Sequence, residues 1–176
     1  MKTLLTAEEL RAGVGRMARD INEVYADRPL TIVGVLTGSI VLVADLIRQL
    51  KMPLRVGVLQ ASSYRDNTRP GALIVNKDMM LDIARRDVLL VDDIFDTGHT
   101  LVKVLDALRE FQPGSVRSAV LLRKAARQEE DYVPDFVGFD IPDEFVVGYG
   151  LDYRDLYRNL PYLAALEPED LVHGNS

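Results

Sequence analysis

The amino-acid sequence predicts an α/β protein with a mainly parallel central sheet flanked by helices. Short apolar runs suited to buried strands alternate with segments of helical periodicity. The run 87–91, DVLLV, is apolar throughout after its first residue, which is typical of a strand buried on both faces. Strands that alternate with helices imply right-handed crossovers and parallel pairing.

The first predicted element is an amphipathic helix over residues 7–25. Thr6 and Glu9 have the spacing of a capping box, in which each residue bonds to the backbone of the other. Apolar residues then recur at helical spacing, namely Leu10, Val14, Met17, Ile21 and Val24.

The following elements build the predicted sheet. Apolar runs predict strands at 30–36, 54–60, 72–76, 87–91 and 116–122. Helices are expected at 40–50 and 101–111, and the polar segment 61–71 should be an exposed loop. Over the last fifty residues, short apolar pieces are broken by Pro134, Pro142 and Pro161, which favours a small flanking subdomain over a continuation of the sheet.

Composition limits the chemistry. The chain has 176 residues and no cysteine, so disulfides, cysteine-based zinc sites and cysteine nucleophiles are excluded. No targeting segment and no apolar stretch of membrane-spanning length is found in the sequence, and a reducing cytoplasm is expected. With a net charge of −6, general attraction to nucleic acid is not expected, and any phosphate must be bound by a local site.

The segment 88–100, VLLVDDIFDTGHT, is the most informative part of the chain. A strand is predicted to end at Asp92 and Asp93, and a turn containing Asp96 then opens a helix. Ligands of open α/β sheets bind at the carboxyl ends of strands, where a helix N-terminus offers unpaired N–H groups to a phosphate. The two acids could hold a ribose diol or a hydrated Mg²⁺. From local chemistry alone, a solvated turn followed by a helix cap is an equally good interpretation.

With its order of apolar strand, paired acids, third acid and T-G-x-T, this segment resembles the phosphoribosyl pyrophosphate signature of the type I phosphoribosyltransferases. The segment 135–161, DFVGFDIPDEFVVGYGLDYRDLYRNLP, closely resembles the hypoxanthine-guanine members. The resemblance runs from about residue 6 to about residue 166. It implies the type I phosphoribosyltransferase fold in a single domain, 1–176, with a core at about 25–130 and a hood from about 1–24 and 135–176.

The resemblance implies a purine salvage enzyme that transfers the phosphoribosyl group of phosphoribosyl pyrophosphate to N9 of hypoxanthine or guanine. The products would be IMP or GMP and pyrophosphate, with Mg²⁺ as cofactor. The protein would bind these small molecules and would assemble with further copies of the chain into a homodimer or homotetramer. No binding to nucleic acid or to a membrane is expected.

Within the signature, the resemblance assigns Asp92 and Asp93 to the ribose hydroxyls and Mg²⁺. Asp96 would face purine N7 as the catalytic residue, either as general base or by stabilising the proton of the base. The loop that binds the 5′-phosphate would consist of Asp96, Thr97, Gly98, His99 and Thr100. From the residues alone, the side chain of His99 is expected to face solvent.

Pyrophosphate is assigned to Thr37, Gly38 and Arg158, and a closing loop to Ser63 and Tyr64. Without the resemblance, Arg158 would be a solvated charge on a helix, the turn at Gly38 a simple strand-to-helix cap, and the loop a plain surface connection. Several relatives have a basic residue where this chain has Thr37, which puts a role for its side chain in doubt.

The purine is assigned to Lys124, Phe145, Val146 and Asp152. Lys124 would donate to the exocyclic O6, Phe145 would stack on the base, and Asp152 would also bind a second Mg²⁺. Without the resemblance, Lys124 would be an ordinary surface lysine, and the apolar pair would be part of the core. Asp92 stands where hypoxanthine-type members commonly have Glu, which leaves the geometry of metal and ribose open.

Two alternatives remain. One is a relative with another base preference, for xanthine or for hypoxanthine alone, because Lys124, Phe145 and Asp152 do not settle guanine against hypoxanthine. A nucleotide-sensing transcriptional regulator would need a basic face, for which Arg11, Arg16 and Arg19 are the candidate patch. A binding protein without catalysis would be expected to lack the acids or Arg158, and both are present.

Overall fold

The computed structural model describes residues 1–63, 73–76 and 81–172, and it confirms the α/β prediction. A central sheet has the strand order β4-β3-β2-β5-β6-β7, in which β4 alone pairs antiparallel with its neighbour. Its strands are β2 (Leu30–Leu36), β3 (Leu54–Ser63), β4 (Leu73–Asn76), β5 (Asp87–Phe95), β6 (Ser115–Arg123) and β7 (Phe136–Asp140). The helices are α1 (Ala7–Tyr25), α2 (Ile40–Ile47), α3 (His99–Arg109) and the short α4 (Pro168–Val172). Among the described helices, none is long and apolar enough to cross a membrane.

Helix α1 has the predicted bounds and the predicted cap. The backbone N–H of Glu9 donates to Thr6 Oγ1 at 3.2 Å, and the backbone N–H of Thr6 donates to Glu9 Oε2 at 2.8 Å. The apolar stripe differs at its end, where Val24 is 37% exposed and Tyr25 is buried. Tyr25 follows Ile21 by four positions and therefore stays on the buried face.

Two apolar layers cover the two faces of the sheet, which explains the unbroken apolar strands. In β5, Leu89 and Val91 pack in the layer that contains α1 and α2, whereas Val88 and Leu90 pack in the layer that contains α3. Every residue of such a strand faces a buried layer, so the alternation that marks a half-exposed strand is lost.

Strand β5 is longer than predicted. The prediction that it ends at the acids is wrong, because the ladder with β6 continues from Asp92 opposite Val120 to Phe95 opposite Arg123. Backbone pairing with a central neighbour does not depend on the side chain, so two acids do not end the strand. Helix α3 accordingly begins at His99, closer to the strand than the predicted start at residue 101.

The terminal segments divide between two sheets. A small antiparallel sheet has the order β1-β9-β8 and consists of β1 (Lys2–Leu5), β8 (Val146–Val147) and β9 (Leu163–Ala165). Strand β7, however, joins the central sheet beside β6, and α1 packs against it. The described part of the predicted hood segment, residues 135–172, therefore contributes both to the central sheet and to the small sheet.

Candidate functional site

A cleft of about 260 Å³ lies at the carboxyl ends of β2 and β5. One wall is formed by Val35 and Leu36 at the end of β2 and by Gly38 just after it, and the floor by the acids of β5. The loop between β5 and α3 closes the other side with Asp96, Thr97, Gly98 and Thr100. The sheet thus brings the predicted signature and the predicted pyrophosphate loop to one place, as expected for a switch between neighbouring parallel strands.

The carboxylates of Asp92 and Asp93 lie side by side in this cleft. Asp92 Oδ1 accepts the backbone N–H of Asp93 at 2.9 Å, and Asp93 Oδ1 accepts that of Ile94 at 2.7 Å. Burial raises the pKa of Asp92 well above its usual value, and the neighbouring charge of Asp93 adds to this shift. Burial also raises the pKa of Asp93, although hydrogen bonds and the nearby Arg158 act in the opposite direction.

This acid pair fits a hard divalent cation such as Mg²⁺. The donors are carboxylate oxygens, which Mg²⁺ prefers, and burial makes two adjacent negative charges costly without a cation. Among the described residues, no group of three or more His, Cys, Asp or Glu side chains forms a complete metal site. A cation at the pair would therefore complete its coordination with water and substrate oxygens, as Mg²⁺ commonly does.

The loop between β5 and α3 requires glycine at residue 98. Gly98 has a φ of +94°, and a Cβ there would lie 2.9 Å from the Phe95 ring and 3.1 Å from Glu130 Cβ. Gly98, at the N-cap of α3, has no side chain to cap the helix, and the backbone N–H of His99 makes a long contact of 3.4 Å with Thr97 Oγ1. Thr97, Gly98 and Thr100 line the cleft, so this helix end faces it. The result is a helix N-terminus of the kind that binds phosphate.

Asp96 is held between two cations. Arg127 Nε donates to Asp96 Oδ1 at 3.1 Å, and Lys124 Nζ lies 3.5 Å from Asp96 Oδ2 and 3.4 Å from Asp143 Oδ1. Lys124 is only 7% exposed, so it is not an ordinary surface lysine. Sequence reasoning missed Arg127 and Asp143. The spacing of Arg127, three residues after Lys124 across a 3₁₀ turn (Ala125–Arg127), was the one available indication that both point the same way.

The residues assigned to pyrophosphate lie next to the acid pair. The peptide bond between Leu36 and Thr37 is cis. Gly38 packs against the carboxylate of Asp93 so closely that a Cβ would overlap it, and a Cβ on Gly150 would overlap the carbonyl oxygen of Gly38. Arg158 donates through Nη1 to the Gly150 carbonyl at 2.8 Å, and its Nη2 lies 2.8 Å from Asp152 Oδ1. Glycine is thus required sterically at Gly38, and Arg158 is tied to the same corner through Gly150.

The remaining predicted residues that the structure describes do not line this cleft. Phe145 is 50% exposed and meets the ring of Tyr153 edge-on, with centroids 5.6 Å apart, so it is not part of the core. Val146 is buried in β8, and Asp152 is shared between Arg158 and the backbone N–H of Asp155. Ser63 ends β3, whereas Tyr64 lies outside the described residues.

Comparisons with known proteins agree with this arrangement. The model of the phosphoribosyl transferase domain matches residues 1–154. The hypoxanthine-guanine phosphoribosyltransferase of Staphylococcus epidermidis is 42% identical over 167 residues, which cover 94% of this chain and 93% of the relative. A crystal structure of a hypoxanthine-guanine phosphoribosyltransferase from Bacillus anthracis is 36% identical with a TM-score of 0.90, covering 95% of this chain and 99% of that chain. A hypoxanthine phosphoribosyltransferase from Staphylococcus aureus is 39% identical with a TM-score of 0.90, covering 96% and 92%. The signature, the fold and these similarities together show that the chain belongs to the phosphoribosyltransferase family, in its hypoxanthine-guanine branch.

Proposed function

We propose that the protein transfers the phosphoribosyl group of phosphoribosyl pyrophosphate to N9 of hypoxanthine or guanine, giving IMP or GMP and pyrophosphate. The observation that carries this proposal is the junction of three groups in one cleft. A buried acid pair, a helix N-terminus and the ion-paired Asp96 all lie at the carboxyl edge of the sheet. The names of the similar proteins support the choice of substrates.

In this proposal the protein contributes mainly positioning and electrostatics. The amides of residues 97–100 bind the 5′-phosphate, while Asp92 and Asp93 accept hydrogen bonds from the ribose hydroxyls. Arg158 and the backbone at Thr37 and Gly38 hold the pyrophosphate. Asp92 and Asp93, with Asp152 at a second site, would hold Mg²⁺, which would supply positive charge to neutralise the leaving pyrophosphate.

The base is read by the opposite side of the cleft. Lys124 donates to the exocyclic O6 in place of its long contact with Asp96, and Phe145 stacks on the ring while Val146 reads the base edge. Asp96 accepts or shares the proton at N7, and Arg127 keeps its carboxylate in place. The amino group of adenine cannot accept a hydrogen bond from the ammonium of Lys124, so 6-oxopurines are selected. The loop that closes over these substrates would follow the end of β3 at Ser63 and include Tyr64.

The transcriptional-regulator alternative gains no support from the structure or the comparisons. Arg16, from the candidate basic patch, donates to the Gly138 carbonyl at 2.7 Å and lies over the Phe139 ring, so it serves packing. We further propose a cytoplasmic homodimer or homotetramer. The absence of cysteine suits a reducing compartment, and the half-exposed Ile40 on α2 offers apolar surface to a second copy.

The test incubates the purified protein with phosphoribosyl pyrophosphate and Mg²⁺, with hypoxanthine, guanine, xanthine, adenine or uracil supplied separately. IMP and GMP that disappear on addition of a chelator are the expected products. Lys124→Ala should lower the rate with oxopurines and relax the rejection of adenine, whereas Lys51→Ala, an exposed control, should do neither. Nucleotide from xanthine alone would overturn the assignment of the base, and no nucleotide from any base would overturn the proposed activity.

A further inference from the structure

The imidazole of His99 lies between two carboxylates at the start of α3. Its Nδ1 is 2.6 Å from Glu130 Oε1, and its Nε2 is 2.8 Å from Glu129 Oε2. The side chain is 49% exposed, so the solvent-facing expectation is correct only in part. Both ring nitrogens are engaged, and neither carboxylate belongs to the element that carries the histidine.

The two glutamates are fixed to the loop assigned to the 5′-phosphate. The backbone N–H groups of Glu129 and Glu130 donate to the carbonyl oxygen of Thr97 at 3.0 and 3.2 Å. Glu130 Cβ also lies against Gly98, 3.1 Å from where a Cβ of that glycine would be. Two negative side chains are therefore held at a helix N-terminus that is otherwise suited to a phosphate dianion.

These carboxylates oppose phosphate binding unless they are neutralised. Like charges near one another repel, and this repulsion would act on the phosphate that the loop amides attract. An imidazole can donate from both nitrogens only when both are protonated, and the imidazolium then offsets one of the two negative charges. The contacts of His99 thus combine a mechanical link between two segments with partial charge neutralisation.

We propose that His99 is a positioning residue whose imidazolium form pins the phosphate loop to Glu129 and Glu130 and reduces the repulsion that these carboxylates exert on the 5′-phosphate. The inference rests on the proposed function, since it assigns a control of substrate affinity to the same site. His99 acts through the loop, and the phosphate itself is bound by the backbone amides.

The link depends on pH. The hydrogen bonds to Glu130 and then to Glu129 raise the pKa of His99 above its ordinary value. Because the folded-state pKa is raised, the link is complete below the ordinary value and is lost as the pH rises through the raised one. Other charged groups nearby are Lys103, one turn further along α3, and Asp96 on the loop with its partner Arg127. Affinity for phosphoribosyl pyrophosphate should therefore fall on the alkaline side.

The experiment measures KM for phosphoribosyl pyrophosphate and kcat at saturating hypoxanthine, from roughly pH 6 to 9, at low salt. The wild-type KM should rise toward alkaline pH. The KM of His99→Gln should be about two- to fivefold above the wild-type value at low pH, the usual effect of a charge at a helix terminus, and should stay there at every pH. His99→Lys, which keeps a cation in place, should restore the low KM at alkaline pH. All forms should share kcat within about twofold, and Asp106→Asn, an exposed control at the far end of α3, should follow the wild type.

A double variant, Glu129→Gln with Glu130→Gln, separates an effect of charge from an effect on folding, because it removes the two repelling carboxylates. Its KM for phosphoribosyl pyrophosphate should be low. Adding a substitution of His99 to this double variant should change that KM little. A His99→Gln protein with the wild-type KM at every pH would overturn the inference, as would a His99→Lys protein with the wild-type pH profile. Failure of the proposed function would look different, since the wild type would then form no nucleotide at any pH. In that case, calorimetry with ribose 5-phosphate decides, and equal affinity of wild type and His99→Gln would overturn the inference by itself.

Discussion

At the scale of single residues, Asp96 has two cationic partners, Arg127 and Lys124, that contact it at different distances. Arg127 makes the closer contact, and the hydrogen bond to Asp96 raises the pKa of Arg127 above its usual value. Lys124 is shared between Asp96 and Asp143 at long distances, so it can turn to a substrate oxygen at little cost. Arg127 is therefore suited to hold Asp96, and Lys124 to read the base.

Replacing Asp96 by Asn tests this division. We expect Asp96→Asn to lower kcat by about 10²- to 10⁴-fold, the usual contribution of a general acid or base, because the amide cannot take up a proton. Affinity for phosphoribosyl pyrophosphate should be largely kept, since the loop amides and the acid pair remain. Steady-state kinetics with hypoxanthine and a binding titration would check both values. Equal loss of kcat and of affinity would show that Asp96 binds the phosphoribosyl group instead.

The same residues mark the limit of sequence-based prediction at this scale. Asp92, Asp93 and Asp96 could be assigned to a site because they lie close together in one motif. Arg127 reaches Asp96 from the connection after β6, whereas Asp143, which pairs with Lys124 and Arg127, comes from the segment after β7. Only the tertiary fold brings these segments together. The burial of Lys124 was equally invisible, because nothing local in the sequence tells a buried lysine from an exposed one.

At the scale of an element, α1 has two glycines in different environments. A Cβ on Gly13 would overlap the ring of Phe139 on β7, whereas a Cβ on Gly15 would meet Gln49 Oε1 at an ordinary 3.5 Å. The close approach at Gly13 seats the helix on the sheet. Gly15 has no such packing reason, and in the middle of a helix it costs stability relative to Ala.

The two glycines therefore give a matched pair of substitutions. Gly15→Ala should raise the free energy of unfolding by about 0.5–1 kcal/mol, through helix propensity and a less flexible unfolded chain. Gly13→Ala should lower it by about 1–3 kcal/mol, because the methyl group displaces Phe139 from a packed layer. Urea unfolding followed by circular dichroism measures both. A stabilising Gly13→Ala would mean that α1 does not lie this close to β7.

Elements were predicted best where local pattern and tertiary contacts act together. The bounds of α1 and β2 follow from a capping box and from an apolar run that ends at a turn. The end of β5 could not be predicted, because it is decided by pairing with β6 and not by its own acids. The place of β7 at the edge of the central sheet is likewise decided by its pairing with β6 and not by its own residues.

At the scale of the whole molecule, the acid pair opposes folding while it serves the site. Burial raises the pKa of both Asp92 and Asp93, so the folded protein without a cation is less stable when these groups must ionise. The sheet places the pair at the centre of its edge, between the two apolar layers, where the surrounding core supplies enough stability to tolerate this cost. Such sites commonly trade stability for activity.

Asp92→Asn should therefore make the protein without ligands more stable while abolishing most of its activity. A carboxyl whose folded-state pKa is raised contributes its full stability below the ordinary pKa of aspartate and loses it as the pH rises through the raised value. The amide avoids this loss, so Tm at pH 8 should exceed that of the wild type by about 2–4 °C for each kcal/mol regained, and the difference should shrink toward pH 4. The exposed Asp106→Asn should leave Tm unchanged, and Mg²⁺ with phosphoribosyl pyrophosphate should raise Tm more for the wild type than for Asp92→Asn. Thermal unfolding at pH 4 and pH 8 checks these expected values of Tm. An Asp92→Asn protein less stable than the wild type at pH 8 would show that the acid pair stabilises the fold even without a cation.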